Sequence, residues 1–444
     1  MDEPTSEGVC VLKRSAALLL SSLLSLAFAA TGIAQPAAEV PSSHPRLFAD
    51  FPRPAADLPV LPYQDAWPDR WPEGPGPMGV ILPLDNPRQF PEGVRSGSPS
   101  ITLPPTYPAV QALTNAFPDA KPGQFAAAGP GKFVFRFVDP PAGQSVPRSR
   151  RNTASAMFSY LSAQPAALDG DPVLIVEQTW FALYDPASDK PARGVALVSP
   201  GLLGTPPGTL NTLTEELRKQ GWAVLRMLAQ PSRFTEEVAF ELDPAGDLEA
   251  QAKHIAAVLG GRAAECAYAV EAAMAHVEAL RPGLAGKPRI AVGFSGGAMT
   301  LPTIIAREPE RYRAAVMVGG GADFWLINQR SNYRTLIRAI EERWKREPTP
   351  EELARLDELY LRNSPLDAYH TASALKSMKV LMIQGSADLA VPAPLGDLLW
   401  ERLGRPDRWV EEAGHEALFM SLPAESFPRM MEWLNAAVPV PDTP

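Results

Sequence analysis

The sequence predicts an α/β protein: a mostly parallel sheet with helices on both faces, carrying a helical cap and preceded by a proline-rich extension. Three observations predict it. From about residue 190 short apolar runs alternate with stretches of helical periodicity, the pattern of strands joined by helical crossovers. A Gly-x-Ser-x-Gly turn, Gly293-Phe294-Ser295-Gly296-Gly297, stands between one such run and a helix. Upstream, residues 36–147 hold 24 of the chain's 49 prolines, too closely spaced for a helix or an interior strand to persist.

The elements follow in order. Residues 1–35 read as a targeting segment: Lys13-Arg14 supplies a basic start, residues 15–29 are a run of Leu, Ala and Ser with one Phe and no charge, and Ala27-x-Ala29 or Gly32-x-Ala34 offers a cleavage site. Export to the periplasm or the medium of a bacterium is expected. No stable membrane association is expected once the segment is cleaved; uncleaved, its apolar run is just long enough to span. Residues 36–150 form the proline-rich extension, whose Tyr63, Trp67, Trp71, Phe90 and Phe117 suit an ordered strap over the main domain better than a spacer. Runs 132–138 and 173–184 read as strands.

Residues 151–444 form the main domain. A buried strand is expected at 194–199, a helix at 209–220 ended by Gly221, and a strand at 222–228. Residues 248–280, rich in alanine, read as one or two helices broken near Gly260-Gly261. Strand 289–292, helix 298–307, strands 314–318 and 379–383, helix 395–403, strand 408–410 and helix 425–437 complete the alternation. Residues 324–374 interrupt it with a mainly helical insertion carrying Phe324, Trp325, Tyr333, Trp344 and Tyr360. An excursion of this kind sits over the carboxyl ends of the strands and is read as a cap. Arg330, Arg334 and Arg338 recur at helical spacing and are expected to share one solvated face, paired with Glu341 and Glu342.

Composition narrows the function. A net charge of −9 argues against a nucleic-acid partner, and no Lys/Arg block lies beside aromatics. Of two cysteines, Cys10 precedes the apolar run and Cys266 stands alone after it, so cleavage leaves no internal disulfide. No phosphate loop, His-Glu-x-x-His pair or cysteine cluster calls for a cofactor or a metal.

The turn at Ser295 carries the chemistry. A serine hydroxyl is a poor nucleophile unless it is exposed on a tight turn, beside a base, with donors aimed at the developing oxyanion. Among five histidines, His44 lies in the extension, His254 and His276 in the alanine-rich helices and His370 at the end of the cap. His415 follows the last strand, in a loop placed to project over the sheet, and is the expected base, with His370 the runner-up. Asp388, after the strand at 379–383, is the expected orienting carboxylate; Asp323, which also ends a strand, is the alternative. One oxyanion donor is expected from the Gly296 N–H and the other from the loop Ser199-Pro200-Gly201-Leu202-Leu203-Gly204, at Leu202.

Taken together, Pro200-Gly-Leu-Leu-Gly204, Gly293-x-Ser295-x-Gly297, Gly385-x-x-Asp388 with Val391-Pro392, and Gly414-His415 resemble the α/β-hydrolase superfamily over residues 190–440. The resemblance implies a two-step acyl transfer with Ser295 as nucleophile, His415 as general acid–base and Asp388 as orienting carboxylate. Many lipases and esterases place histidine before the oxyanion glycine; here Pro200 stands there. Hydrolysis of a small-molecule carboxylic ester is the expected function. A peptidase or amidase of the same fold is the nearest alternative; such peptidases often carry a propeller, for which the extension is too short. A non-catalytic binding member is a third reading, and a surface protein using the extension to bind partners is a fourth.

Overall fold

The computed structural model describes residues 43–52, 57–68, 79–83, 108–116, 125–127, 154–168, 171–188, 190–202, 205–228, 230, 234 and 237–439. The targeting segment at 1–35 and the strand expected at 132–138 lie outside them. All described residues belong to one compact unit, Pro41–Pro444.

In chain order, β1 (Gly79–Pro83), α1 (Pro108–Ala116) and β2 (Phe125–Ala127) precede a long hairpin, β3 (Ala156–Leu168) and β4 (Asp171–Tyr184). The alternating part follows: β5 (Gly194–Ser199), α2 (Pro207–Lys219), β6 (Trp222–Met227), β7 (Val238–Leu242), α3 (Leu248–Leu280), β8 (Arg289–Phe294), α4 (Gly296–Ile305) and β9 (Tyr312–Val318). The insertion contains α5 (Phe324–Arg330), α6 (Arg334–Ile337), β10 (Ile340–Trp344), α7 (Pro350–Asn363) and α8 (Ala368–Thr371). Then come β11 (Lys379–Gly385), α9 (Ala393–Arg402), β12 (Asp407–Glu411) and α10 (His415–Ala437).

Among the described residues the main sheet has ten strands in the order β1-β3-β4-β6-β5-β8-β9-β11-β12, with β2 paired to β4. The pairs from β6 through β5, β8, β9 and β11 to β12 are all parallel; β1, β3, β4 and β6 pair antiparallel. Every residue of β5 and β8 is buried, because helices cover both faces of these central strands. One face packs against α3 and α4, the other against α2 and α10. The strand order reverses at β5, which has β6 on one side and β8 on the other. In an open parallel sheet the crevice beyond the carboxyl ends at such a reversal receives the ligand.

Four expectations need correction. Helix α3 runs unbroken for 33 residues through Gly260-Gly261. Each glycine costs a helix about 1 kcal/mol relative to alanine, but α3 is held along its length by tertiary burial. The last helix starts at His415 rather than residue 425, although Pro423 and Pro428 lie inside it. Pro423 has no N–H for the Phe419 carbonyl one turn back, and Thr209 Oγ1 of α2 donates to that carbonyl instead, at 3.0 Å. The insertion also holds a strand: β10 pairs in parallel with β7, which the sequence did not suggest, as a separate two-stranded sheet. Arg330, Arg334 and Arg338 therefore do not share a helix face. Arg330 ends α5, Arg334 begins α6, and Arg338 closes α6 in the left-handed region at φ 49°. Of the expected pairings one survives locally, Arg334 with Glu342 at 3.3 Å.

Part of the proline-rich extension is tied to the helices beside the sheet. The Tyr369 hydroxyl accepts from the Leu58 N–H at 3.1 Å, and Leu61 N–H donates to His370 Nδ1 at 3.0 Å. Trp67 packs against Tyr268 with the Arg307 guanidinium 4.7 Å over its ring. His44 N–H donates to the Ser386 carbonyl at 2.9 Å.

Candidate active site

Ser295 sits at φ 50°, ψ −120° between β8 and α4. For a residue with a side chain this backbone costs about 1–3 kcal/mol and persists only where neighbours enforce it. Here Ser295 N–H donates to the Val318 carbonyl of β9 at 2.9 Å, and its own carbonyl accepts the first bond of α4 from Met299. The flanking glycines are required by space. A Cβ at Gly293 would stand 2.6 Å from the Gly297 carbonyl oxygen, and one at Gly297 would stand 2.4 Å from the oxygen of Ser199. Strand and helix can meet this closely only without those side chains, and the meeting presents the Ser295 hydroxyl above the sheet, partly open to solvent.

The histidine and the carboxylate reach this point from the far half of the parallel sheet. Asp388 follows β11, and its Oδ1 accepts from the N–H groups of Ala390 at 2.9 Å and Val391 at 3.0 Å. That leaves Oδ2 for His415 Nδ1, at 2.6 Å. Nδ1 therefore carries the proton and Nε2 is the acceptor, 2.9 Å from Ser295 Oγ. His415 is the first residue of α10 rather than a loop residue, and its ring is held edge-on by Phe419 at 4.6 Å and Tyr333 at 5.7 Å. His415 and Asp388 are both buried, so the chain of hydrogen bonds runs in a low-dielectric setting with its serine end toward solvent.

Of the remaining expected residues, Gly296 follows Ser295 in the chain and Leu202 approaches from the loop after β5. A Cβ on Gly201 would lie 3.1 Å from Ser295 Cβ, and one on Gly296 would lie 3.4 Å from the Leu202 nitrogen. The Gly296 N–H is a helix-start donor without an intrahelical partner, and neither it nor the Leu202 N–H finds an acceptor among the described residues. Two backbone donors, unpartnered among the described residues, thus lie close to Ser295. Leu203 and Gly204 of this loop lie outside the described residues.

Ser295 after β8, Asp388 after β11 and His415 after β12 place three interacting side chains at the carboxyl ends of parallel strands, in the chain order Ser, Asp, His. The chain has the α/β-hydrolase fold. Its residues 270–437, less than half of the sequence, match the prolyl oligopeptidase family. Among solved structures it is similar to the esterase Est1E from Butyrivibrio proteoclasticus, at 12% identity over 62% of this chain and 98% of the other, with a TM-score of 0.39. It is also similar to the Pyrococcus furiosus esterase Pf2001, at 14% identity over 62% and 92%, TM-score 0.37. A cold-adapted esterase from an Arctic intertidal metagenomic library matches at 14% identity over 63% and 94%, TM-score 0.37. No curated protein sequence matches the chain.

The two alternatives go elsewhere. His370 is fully buried, accepts from Leu61 N–H at Nδ1 and donates from Nε2 to the Leu361 carbonyl at 2.8 Å. Burial lowers its pKa, and both ring nitrogens are occupied in fastening the extension to α7. Asp323 is the N-cap of α5, in the left-handed region at φ 68°, and one of its oxygens accepts from Leu326 N–H. Its other oxygen and Oδ1 of Asp357 find no donor among the described residues, and both carboxyls are held toward the protonated form. Burial, then the neighbouring Asp357 and Asp367 carboxylates, push Asp323 well up, and burial pushes Asp357 up to about 7. Asp367 stays satisfied by four donors, the N–H groups of Asp323, Phe324 and Tyr369 and the Tyr360 hydroxyl. This cluster anchors the insertion to the end of β9. Among the described residues no group of His, Cys, Asp and Glu is placed to hold a metal ion.

Tyr333, read from the sequence only as one of the insertion's aromatics, stands over His415 and donates its hydroxyl to Glu416. The Asn332 N–H beside it donates to the Leu389 carbonyl at 2.9 Å. The insertion thus reaches the rim of the site, a placement that depends on the turn at Ser331 after α5 and leaves no periodic trace in the sequence.

Proposed function

We propose that this chain is a serine hydrolase that cleaves a carboxylic ester of a small molecule through an acyl-enzyme intermediate. The observation that carries the reading is the continuous hydrogen-bond chain Ser295–His415–Asp388 beside the N–H groups of Gly296 and Leu202, which find no acceptor among the described residues. Ser295 Oγ attacks the ester carbonyl while His415 Nε2 takes its proton. Asp388 keeps the proton on Nδ1 and stabilises the imidazolium. The carbonyl oxygen, now negative, accepts from Gly296 and Leu202. Collapse of the tetrahedral adduct expels the alkoxide, which takes the proton from Nε2. Water, deprotonated by the same nitrogen, then attacks the acyl-enzyme and releases the acid.

A peptidase or amidase is the second reading, favoured by the match of residues 270–437 to the prolyl oligopeptidase family. Matched pairs of p-nitrophenyl esters and p-nitroanilides separate the two. The ester reading predicts a burst of p-nitrophenol stoichiometric with enzyme, steady turnover after it, and loss of both in Ser295→Ala. Anilides turned over as fast as the matching esters would replace it with the amidase reading; no turnover of either by folded protein would remove both. The same reading takes the chain as exported, on the basic start Lys13-Arg14 and the uncharged run behind it.

A further inference from the structure

The loop that offers the Leu202 N–H begins at Pro200, and two side chains hold it there. The Pro200–Gly201 peptide is pinned at both ends. Its carbonyl oxygen accepts from Gln230 Nε2 at 2.6 Å, and its N–H donates to Thr205 Oγ1 at 3.1 Å. A peptide plane fixed at oxygen and nitrogen has no freedom to rotate, and the next N–H along the chain is that of Leu202. Against the other side of the same segment stands Gly297, where a Cβ would lie 2.6 Å from the Pro200 oxygen.

Gln230 is itself oriented. It is buried, and its Oε1 faces the Cys266 thiol of α3, with Sγ at 3.4 Å. A carbonyl can only accept, so Nε2 must face Pro200; the thiol donates, so Oε1 must face Cys266. Burial, then the Glu265 and Glu177 carboxylates, raise the Cys266 thiol well above its usual range and keep its proton in place. Nε2 also lies 3.4 Å from Ser199 Oγ, one residue before Pro200.

We propose that Gln230 is a positioning residue for the oxyanion loop, oriented by Cys266 and acting through the Pro200 carbonyl on the Leu202 N–H. This rests on the serine-hydrolase reading above. Gln230 touches neither Ser295 nor the reacting carbon, so its loss acts on the transition state and leaves ground-state binding alone. Nothing in the sequence flags it, since a lone glutamine after a strand belongs to no motif.

The test compares Gln230→Leu and Gln230→Glu with the unmodified full chain, each checked for folding by circular dichroism. For Gln230→Leu, kcat on a p-nitrophenyl ester falls about 10- to 100-fold with KM little changed, somewhat less than direct loss of an oxyanion donor costs. Affinity for a trifluoromethyl ketone, whose hemiketal carries the oxyanion, falls by a similar factor. In Gln230→Glu the introduced carboxyl can donate to Pro200 only when protonated, so the ratio of variant to unmodified kcat rises as pH falls. An unchanged kcat in folded Gln230→Leu overturns the proposal. If that variant does not fold, a ratio flat with pH in Gln230→Glu overturns it instead. Failure of the underlying reading looks different: the unmodified chain would then neither turn over esters nor bind the ketone.

Discussion

Gly297 and Ser199 meet so closely that a single added carbon would stand 2.4 Å from the Ser199 carbonyl oxygen and 2.6 Å from that of Pro200. The start of α4 and the loop after β5 are therefore one packed unit, and Ser295 and the Leu202 N–H are placed relative to each other through it. Gly297→Ala pushes the two apart by backbone displacement, because neither obstacle is a movable side chain. The expected result is a loss of kcat/KM of about 100-fold or more, the scale on which a misplacement near 1 Å acts, together with a lower melting temperature. Gly208→Ala, in the first turn of α2 with nothing within 4 Å of its Cβ position, is the control and leaves activity unchanged.

Asp388→Asn tests the tautomer. The N–H groups of Ala390 and Val391 demand an oxygen at the Oδ1 position, so the amide nitrogen is turned toward His415. Nδ1 must then accept, the proton moves to Nε2, and Ser295 loses its base. Steady-state kinetics on an ester at neutral pH should give a kcat lower by about 10⁴-fold, with KM and the melting temperature little altered.

The carboxyl pair at the foot of the insertion gives a stability change with pH. Asp357 titrates near 7 in the fold against an ordinary 3.8, so the folded chain holds that proton more tightly than the unfolded chain does. Its contribution is fully present below pH 3.8 and is lost as pH rises through about 7. Asp357→Asn keeps a neutral partner for Asp323 at every pH, so thermal melts at pH 8 should show the variant more stable than the parent, with the difference gone near pH 4. An equal gap at both pH values would mean that the Asp357 carboxyl is not held protonated by the fold near neutral pH.

His370 contributes the opposite slope. Its pKa is lowered, so the stability it lends is present above its ordinary 6.5 and is lost as pH falls below that value toward the folded one. Protonation places a second N–H on the ring where Leu61 N–H now donates, and the extension detaches there first. The protection factor of the Leu61 amide, its intrinsic rate at each pH divided by the observed rate, should fall between pH 7.5 and pH 5 more than those of amides in β8. In His370→Leu it should be low at both pH values.

The sequence carried the alternation from 190 onward because central parallel strands are buried on both faces and read as unbroken apolar runs, as β5 and β8 do. It also carried Ser295, His415 and Asp388, because tight turns at strand ends need glycine and proline around them and so leave a local pattern. The hairpin of β3 and β4 was half read: 173–184 stood out, while β3, with Ser159, Ser162 and Pro165, did not, although Asp169-Gly170 between them is a hairpin signal. β10 was hidden by its charges, since Glu341 and Arg343 on one face and Glu342 on the other imitate a solvated helix. It is a strand because β7, about a hundred residues earlier, pairs with it. The start of α10 was masked by Pro423, whose cost is offset by Thr209 from a different helix. Gln230 and Tyr333 acquire their places only from tertiary contacts.

The central claim is that Ser295 is an activated nucleophile, and covalent labelling tests it most directly. The full-length chain is treated with a fluorophosphonate and mapped by peptide mass spectrometry. The geometry predicts modification confined to Ser295, abolished in Ser295→Ala and slowed by orders of magnitude in His415→Ala. Absence of labelling in folded protein, or labelling of another residue that survives Ser295→Ala, would contradict it.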